Sequence, residues 1–286
     1  MQRKAMTQNA LTRHKQLLEE LEQQVLDIRT SPQWTRLLEW QARVPERSPN
    51  NNALIQLQRP GATICRGYRQ WQQHGRQVQQ GEPGIAIWAP MTVRRENEKG
   101  EYEYVTRFKI TYVWDIAQTE IFDEELAAAD ESPVPVIDGD DALYQTLTAI
   151  CEQRGIAIRE QAMVAEGTAQ WNTVTGQRTI LLRPDRPAAH KAIVMLHELA
   201  HIDLHQQRRE DRAIPAEQKE WEAESVAYIV ATHYGLPTFS DLYLASWKVQ
   251  PGDLSKLLTR ISRCASSLIE QIDASASAVT THLAAA

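Results

Sequence analysis

The pentapeptide His197-Glu198-Leu199-Ala200-His201 constrains this chain more than any other feature. On an α-helix, residues four apart share a face, so the two imidazoles project in one direction, one turn apart. Neutral imidazole nitrogen is a good Zn²⁺ ligand, and a glutamate beside the first histidine can reach a metal-bound water as general base. The preceding Ala192-Ile193-Val194-Met195-Leu196 is apolar enough to bury the helix, and no Pro or Gly interrupts residues 188–206. A continuous helix is therefore expected there, with His197 and His201 as metal ligands and Glu198 as base.

A catalytic zinc takes three protein ligands and keeps one position for water, so a third donor is needed. The downstream Glu220-Trp221-Glu222-Ala223-Glu224-Ser225-Val226-Ala227 offers carboxylates on a second helix. Glu222 and Glu224 stand about 200° apart around that helix and cannot both face one metal. Val226 and Ile229 follow Glu222 at i+4 and i+7, an apolar face. From Glu224 the equivalent positions are Tyr228 and Ala231. Glu222 is the preferred third ligand and Glu224 the alternative. His205 extends the histidine series but lies about 12 Å along the axis from His197, so it reads as a supporting residue. Asp203 is a candidate to orient a ligand histidine. Residues 178–183 read either as a sheet edge on which a peptide substrate could add as a strand, or as an ordinary core strand.

A chain of 286 residues suggests one large domain or two ordinary ones. Apolar content of 42% and charged content of 24% are those of a globular protein. No apolar run approaches the roughly 18 to 20 residues of a membrane span, and residues 1–4 lead into no apolar signal core, so no membrane association and a cytoplasmic location are expected. Cys65, Cys151 and Cys264 are odd in number and far apart, which fits buried thiols in a reducing compartment. The net charge of −6 hides an asymmetry: residues 31–122 hold 12 Lys plus Arg against 9 Asp plus Glu, a local net of +3, while residues 123–141 carry eight acidic side chains and no basic one.

The punctuation along the chain predicts an α+β protein of two domains. Residues 1–30 contain an amphipathic helix with Leu17, Leu18, Leu21, Val25 and Ile28 on one side. Residues 31–122 form a small α+β domain: a helix from Ser31-Pro32, a short helix at 52–58, a strand at 85–89 closed by Pro90, and a polar hairpin tip at 97–100. Residues 123–141 read as an acidic linker. Residues 142–273 form the second domain, with a helix ending near Gly155, three short strands, the metal-site helix, a helix at 221–234 and a final helix at 254–272. Residues 274–286 read as a flexible tail.

The second domain resembles the ImmA/IrrE-type zinc metallopeptidases at Met195-Leu196-His197-Glu198-Leu199-Ala200-His201 and at Glu222-Ala223-Glu224-Ser225-Val226-Ala227. That resemblance implies a zincin-like fold, a Zn²⁺ cofactor, Glu222 as third ligand and a protein substrate of unknown identity. The first domain resembles the single-stranded DNA-binding domain of ArdC-type antirestriction proteins. The matching segments are residues 51–60, Gly67-Tyr68-Arg69-Gln70-Trp71, Gly75-Arg76-Gln77-Val78, residues 81–90, and Val113-Trp114-Asp115-Ile116-Ala117-Gln118-Thr119. This second resemblance implies single-stranded DNA as partner and an antirestriction role. Arg66, Tyr68, Arg69, Trp71 and Arg76 interleave cations and aromatic rings, as single-strand binders do. A core tryptophan fringed by solvated arginines would produce the same pattern. Two other readings share these residues: a DNA-binding protein with a structural or inactive zinc domain, and a regulatory protease that cleaves a repressor.

Overall fold

The computed structural model describes residues 31–96, 101–128, 141–206, 213–236 and 254–284, with Thr12, Gln16 and Glu20 ahead of them. Most of the expected N-terminal helix, the hairpin tip and most of the acidic linker lie outside the described residues. The chain divides into two compact units, one within residues 50–128 and the other made of residues 31–49 and 141–284.

Helix α1 (Ser31–Arg43) joins the second unit, not the first as its position in the sequence suggests. The Trp34 ring stacks on Trp221 with centroids 4.4 Å apart, and its indole N–H donates to Ser225 Oγ at 3.1 Å. His233 Nδ1 lies 2.7 Å from the Ala42 carbonyl, and the Ser266 hydroxyl donates to the Pro45 carbonyl at 2.6 Å. Nothing in the local sequence of α1 announces partners about 190 residues away.

The first unit is built on a long hairpin. Helix α2 (Pro49–Gln58) precedes strand β1 (Cys65–Arg66), helix α3 (Tyr68–Gln73) and strand β2 (Arg76–Val78). Strands β3 (Ile85–Glu96) and β4 (Tyr102–Asp115) follow, then β5 (Thr119–Ile121) and helix α4 (Glu124–Ala128), which occupies the start of the expected linker. The main sheet runs β1-β4-β3, all antiparallel, and β2 pairs separately with β5. Strand β3 continues through Pro90, where the sequence predicts a stop. Asn51 and Gln58, two turns apart on α2, explain how. Each amide accepts from and donates to one residue of the β3 edge: Asn51 at Trp88 and Gln58 at Ala86, at 2.8 to 2.9 Å. Ala86 and Trp88 therefore point their backbone groups away from β4, and Pro90, of the same parity, lacks only an outward N–H. Proline is tolerated at such an edge position.

The segments quoted above as family-like bind one another. Asp115 accepts from the Ala117 backbone N–H at 3.0 Å, and Gln118 answers by accepting from the Asp115 N–H at 2.9 Å, a reciprocal cap. The buried Gln118 amide then donates to Glu82 at 2.8 Å and to the Pro83 carbonyl at 2.9 Å. Gly75 takes φ +65°, and a Cβ there would stand 2.3 Å from the Asp123 carbonyl oxygen, so only glycine fits this crossing.

In the second unit, helix α5 (Ala142–Gln153) leads to strands β6 (Ile156–Glu160), β7 (Gly167–Trp171) and β8 (Arg178–Leu182). The sheet order is β6-β8-β7, with β8 parallel to β6 and antiparallel to β7. Residues 178–182 are thus the central strand, so the edge role considered for them falls to β7. Helices α6 (Ala188–His205), α7 (Ala216–His233) and α8 (Leu254–Ala284) complete the unit. Helix α8 runs beyond residue 274, where the sequence suggests a tail. The core gathers Leu147, Ile180, Leu182, Met195, Leu196, Leu199, Ile202, Ile229, Ile261 and Leu268, all fully buried. Truncating Trp34 to Ala should lower the unfolding free energy of the second unit by roughly 3–5 kcal/mol, the usual range for a buried tryptophan. Urea denaturation followed by circular dichroism measures it; a loss under 1 kcal/mol would detach α1 from this core.

Candidate metal centre

Helix α6 turns one face to an open cleft of about 720 Å³ lined by His190, Val194, His197, Glu198, His201 and His205, with Glu220 and Glu224 from α7 opposite. The 18-residue helix keeps Met195, Leu196, Leu199 and Ile202 in the core, so the polar series is forced to the other side. Strand β7 forms the floor at Gly167, Thr168 and Ala169. Gly167 matters here: a Cβ would stand 2.3 Å from Val194 Cγ1 and 3.3 Å from Glu198 Oε1. The absent side chain lets the strand lie directly against the helix at the glutamate.

His197 Nε2 and His201 Nε2 converge to 3.0 Å. Glu220 stands with them, one oxygen 3.3 Å from His197 Nε2 and the other 3.4 Å from His201 Nε2. Among the described residues these three form the one cluster whose donor atoms all lie within 4.8 Å of one another. Two imidazoles and a carboxylate, partly exposed in a cleft, fit a divalent cation such as Zn²⁺ with a position left open. The electrostatics agree. Burial disfavours a charged His197, yet hydrogen bonds to Glu220 and Glu224 outweigh it and raise its pKa to about 9. Hydrogen bonds to His197 and His201 hold the Glu220 carboxyl well below the ordinary range. A pocket that favours a proton's charge in this way also favours a cation's.

The two carboxylates weighed from the sequence sit elsewhere. Glu224, one turn from Glu220, meets His197 Nδ1 at 3.0 Å, the far side of the ring from the cluster. This is the usual place of a carboxylate that orients a ligand histidine. Glu222 faces the interior, fully buried, with Oε2 3.1 Å from His205 Nε2 and Oε1 accepting from Gln218 at 2.7 Å. It does not join the cluster, because 200° of helix rotation turns it away once Glu220 and Glu224 face the cleft. Asp203 also leaves the site, pairing with Arg154 just past the end of α5, where one N–H donates at 3.2 Å. Glu220, which the sequence reading passed over, was readable as the i+4 partner of Glu224, mirroring the histidine pair.

Glu198 is buried at the edge of the cleft. Burial raises its pKa; the nearby histidines and a hydrogen bond from the Ala169 backbone work against that rise. A carboxyl so raised holds a proton more readily than an ordinary carboxylate. Cys151 and Cys264 are pushed up to about 12 by burial and are inert thiols.

The residues expected to contact DNA divide. Trp71 is fully buried and its indole donates to the Trp114 carbonyl at 2.9 Å, so it is core and no stacking surface. Arg66 lies over the Trp71 ring, 5.2 Å from its centroid, and Arg76 donates to Thr119 Oγ1 at 2.8 Å. Tyr68 and Arg69 are exposed. The hairpin carries a stronger aromatic surface. Tyr102, Tyr104, Phe108 and Tyr112 alternate along one face of β4, all exposed, Tyr104 by 76% and Phe108 by 61%. The cross-strand partner of Tyr104 is Arg94, whose guanidinium lies 3.7 Å from the Tyr102 ring centroid.

This architecture, a small α+β unit followed by a domain in which two histidines of α6 meet a glutamate of α7, defines a class. The model of the IrrE N-terminal-like domain of the M78 peptidases matches residues 151–249, and that of the N-terminal domain of anti-restriction factor ArdC matches residues 7–115. The chain thus carries an ArdC-type N-terminal domain followed by an IrrE-like domain. A metal-free crystal structure of the antirestriction protein ArdC from plasmid R388 aligns over 90% of this chain and 97% of that one, with a TM-score of 0.55 and 21% identity, a likeness of fold. An uncharacterised protein of Bacillus anthracis is 25% identical across 83% of this chain and 47% of its own length. The chain thus spans about half of that curated relative. Among the described residues no helix is long and apolar enough to cross a membrane.

Replacing Gly167 with Ala should cost roughly 1–3 kcal/mol through overpacking against Val194, and Val194→Ala in the same chain should restore most of it. Thermal melts of the single and double variants measure this; an unaffected Gly167→Ala melt would contradict the tight approach.

Proposed function

We propose that this protein is an antirestriction-type, single-stranded DNA-binding protein whose second domain is a zinc-dependent peptidase. The observation that carries the peptidase half is the convergence of His197, His201 and Glu220 beside a buried Glu198, at the foot of a strand edge. We assign the three as ligands, with Glu220 in place of Glu222. Zn²⁺ held there supplies an acidified water and polarises a carbonyl. Glu198 Oε takes the proton of the attacking water and returns it to the leaving amine. Strand β7 pairs with β8 on one side only among the described residues, and its other edge borders the cleft. An extended peptide adding along Gly167 to Ala169 would have its backbone held beside Glu198.

The DNA-binding half rests on the hairpin. Exposed rings at every second or fourth residue of β4 give stacking platforms that accept any base; Arg94 shares their face opposite Tyr104, and Arg69 is exposed on α3. Among the residues first expected, Tyr68 and Arg69 retain this role and Trp71 does not.

Glu198→Gln should abolish hydrolysis of a casein-type test substrate while zinc content stays near one per chain; full activity in that variant would refute the assigned base. Tyr104→Ala and Phe108→Ala should each weaken binding of a labelled single-stranded oligonucleotide by roughly 1–3 kcal/mol without changing the melting temperature. Affinity should also fall steeply with salt. Unchanged or duplex-preferring binding would refute the hairpin surface.

A further inference from the structure

The two ligand histidines are held from behind in different ways. Glu224 contacts His197 Nδ1 directly. His201 Nδ1 instead meets a second imidazole, His205 Nδ1, at 3.1 Å. Two ring nitrogens can share a hydrogen bond only when one carries the proton and the other is bare, so the contact has a direction. His201 turns Nε2 to His197 and Glu220. Neutral His201 can present a lone pair there only with its proton on Nδ1, donated to a bare His205 Nδ1. The single proton of His205 must then sit on Nε2, which lies 3.1 Å from Glu222 Oε2.

We propose that His205 and Glu222 form a buried positioning relay that fixes His201 in its Nδ1–H tautomer, with Arg260 anchoring the far end. This deepens the metal reading above and rests on it. Ionised Glu222 can only accept, so with a neutral His205 it sets the sense of the whole chain. Its charge is answered by the Arg260 guanidinium of α8 at 3.5 Å and by the Gln218 amide at 2.7 Å. Arg260 is itself held by the Leu204 carbonyl at the end of α6. The reverse sense would need a neutral Glu222 beside that arginine or a second proton on the buried His205, and would place the His201 proton on Nε2, where it blocks the lone pair. A fully buried carboxylate is costly; a role in directing protons accounts for its presence where an apolar residue would pack. Helix α8, remote from the cleft in sequence, becomes part of the support of the metal site.

The full chain, titrated with zinc against a chromophoric chelator, tests this. His205→Phe should lower zinc affinity roughly 10- to 100-fold, the range for partners behind a ligand. His205→Gln, whose amide accepts at oxygen and donates at nitrogen, should recover most of it. Nitrogen-15 spectra of zinc-loaded wild type should show His201 protonated at Nδ1 and His205 at Nε2, a readout independent of whether either variant folds. Wild-type affinity in folded His205→Phe, or a His205 proton on Nδ1, overturns the relay alone. Failure of wild type to take up zinc overturns the metal reading together with it.

Discussion

The packing of α6 against α7 fixes everything at the centre. Each helix brings polar residues at a four-residue interval into one shared cleft: His197 and His201 from the first, Glu220 and Glu224 from the second. Burial of Met195, Leu199, Val226 and Ile229 on their other faces leaves no freedom to rotate either helix. Glu222, between the two cleft carboxylates in sequence, is necessarily turned inward, where His205 and Arg260 receive it. A rotation of α7 large enough to bring Glu222 to the cluster would bury Glu220 and Glu224 unpaired, at a cost of several kcal/mol per charge.

Around this pair the remaining elements act as positioning devices. Strand β7 is brought to Glu198 by a glycine, the sheet is anchored by β8 as its central strand, and α1 closes over α7 through the Trp34–Trp221 stack. The first unit uses a different economy. Asn51 and Gln58 replace a missing strand with two amides, and Asp115 with Gln118 ties the turn at Glu82 to the end of β4. With its interior satisfied in this way, the hairpin face is left to expose tyrosine and phenylalanine.

Local pattern made part of this legible. The α6 helix followed from an uninterrupted apolar and histidine period, the three short strands from their turn glycines, and the two-domain order from motif segments. What failed was tertiary. The apolar stripe behind Glu222 suggests a ligand face, but a ligand faces a cleft, and the stripe instead marks the core; azimuth on α7 is set by packing, not by local pattern. Trp71 read as a platform because burial is invisible in a cation–aromatic string. Pro90 read as a stop because its outward edge position depends on α2. The assignment of α1 to the second unit depends on a contact that joins distant parts of the chain.

Glu220, and neither Glu222 nor Glu224, is the proposed third ligand of the metal site. Anomalous diffraction at the zinc edge from zinc-loaded crystals tests it most directly. A single peak is expected roughly 2.0–2.2 Å from His197 Nε2, His201 Nε2 and a Glu220 oxygen, with Glu222 still against His205. A peak coordinated by Glu222 or Glu224, with Glu220 free in solvent, would contradict it.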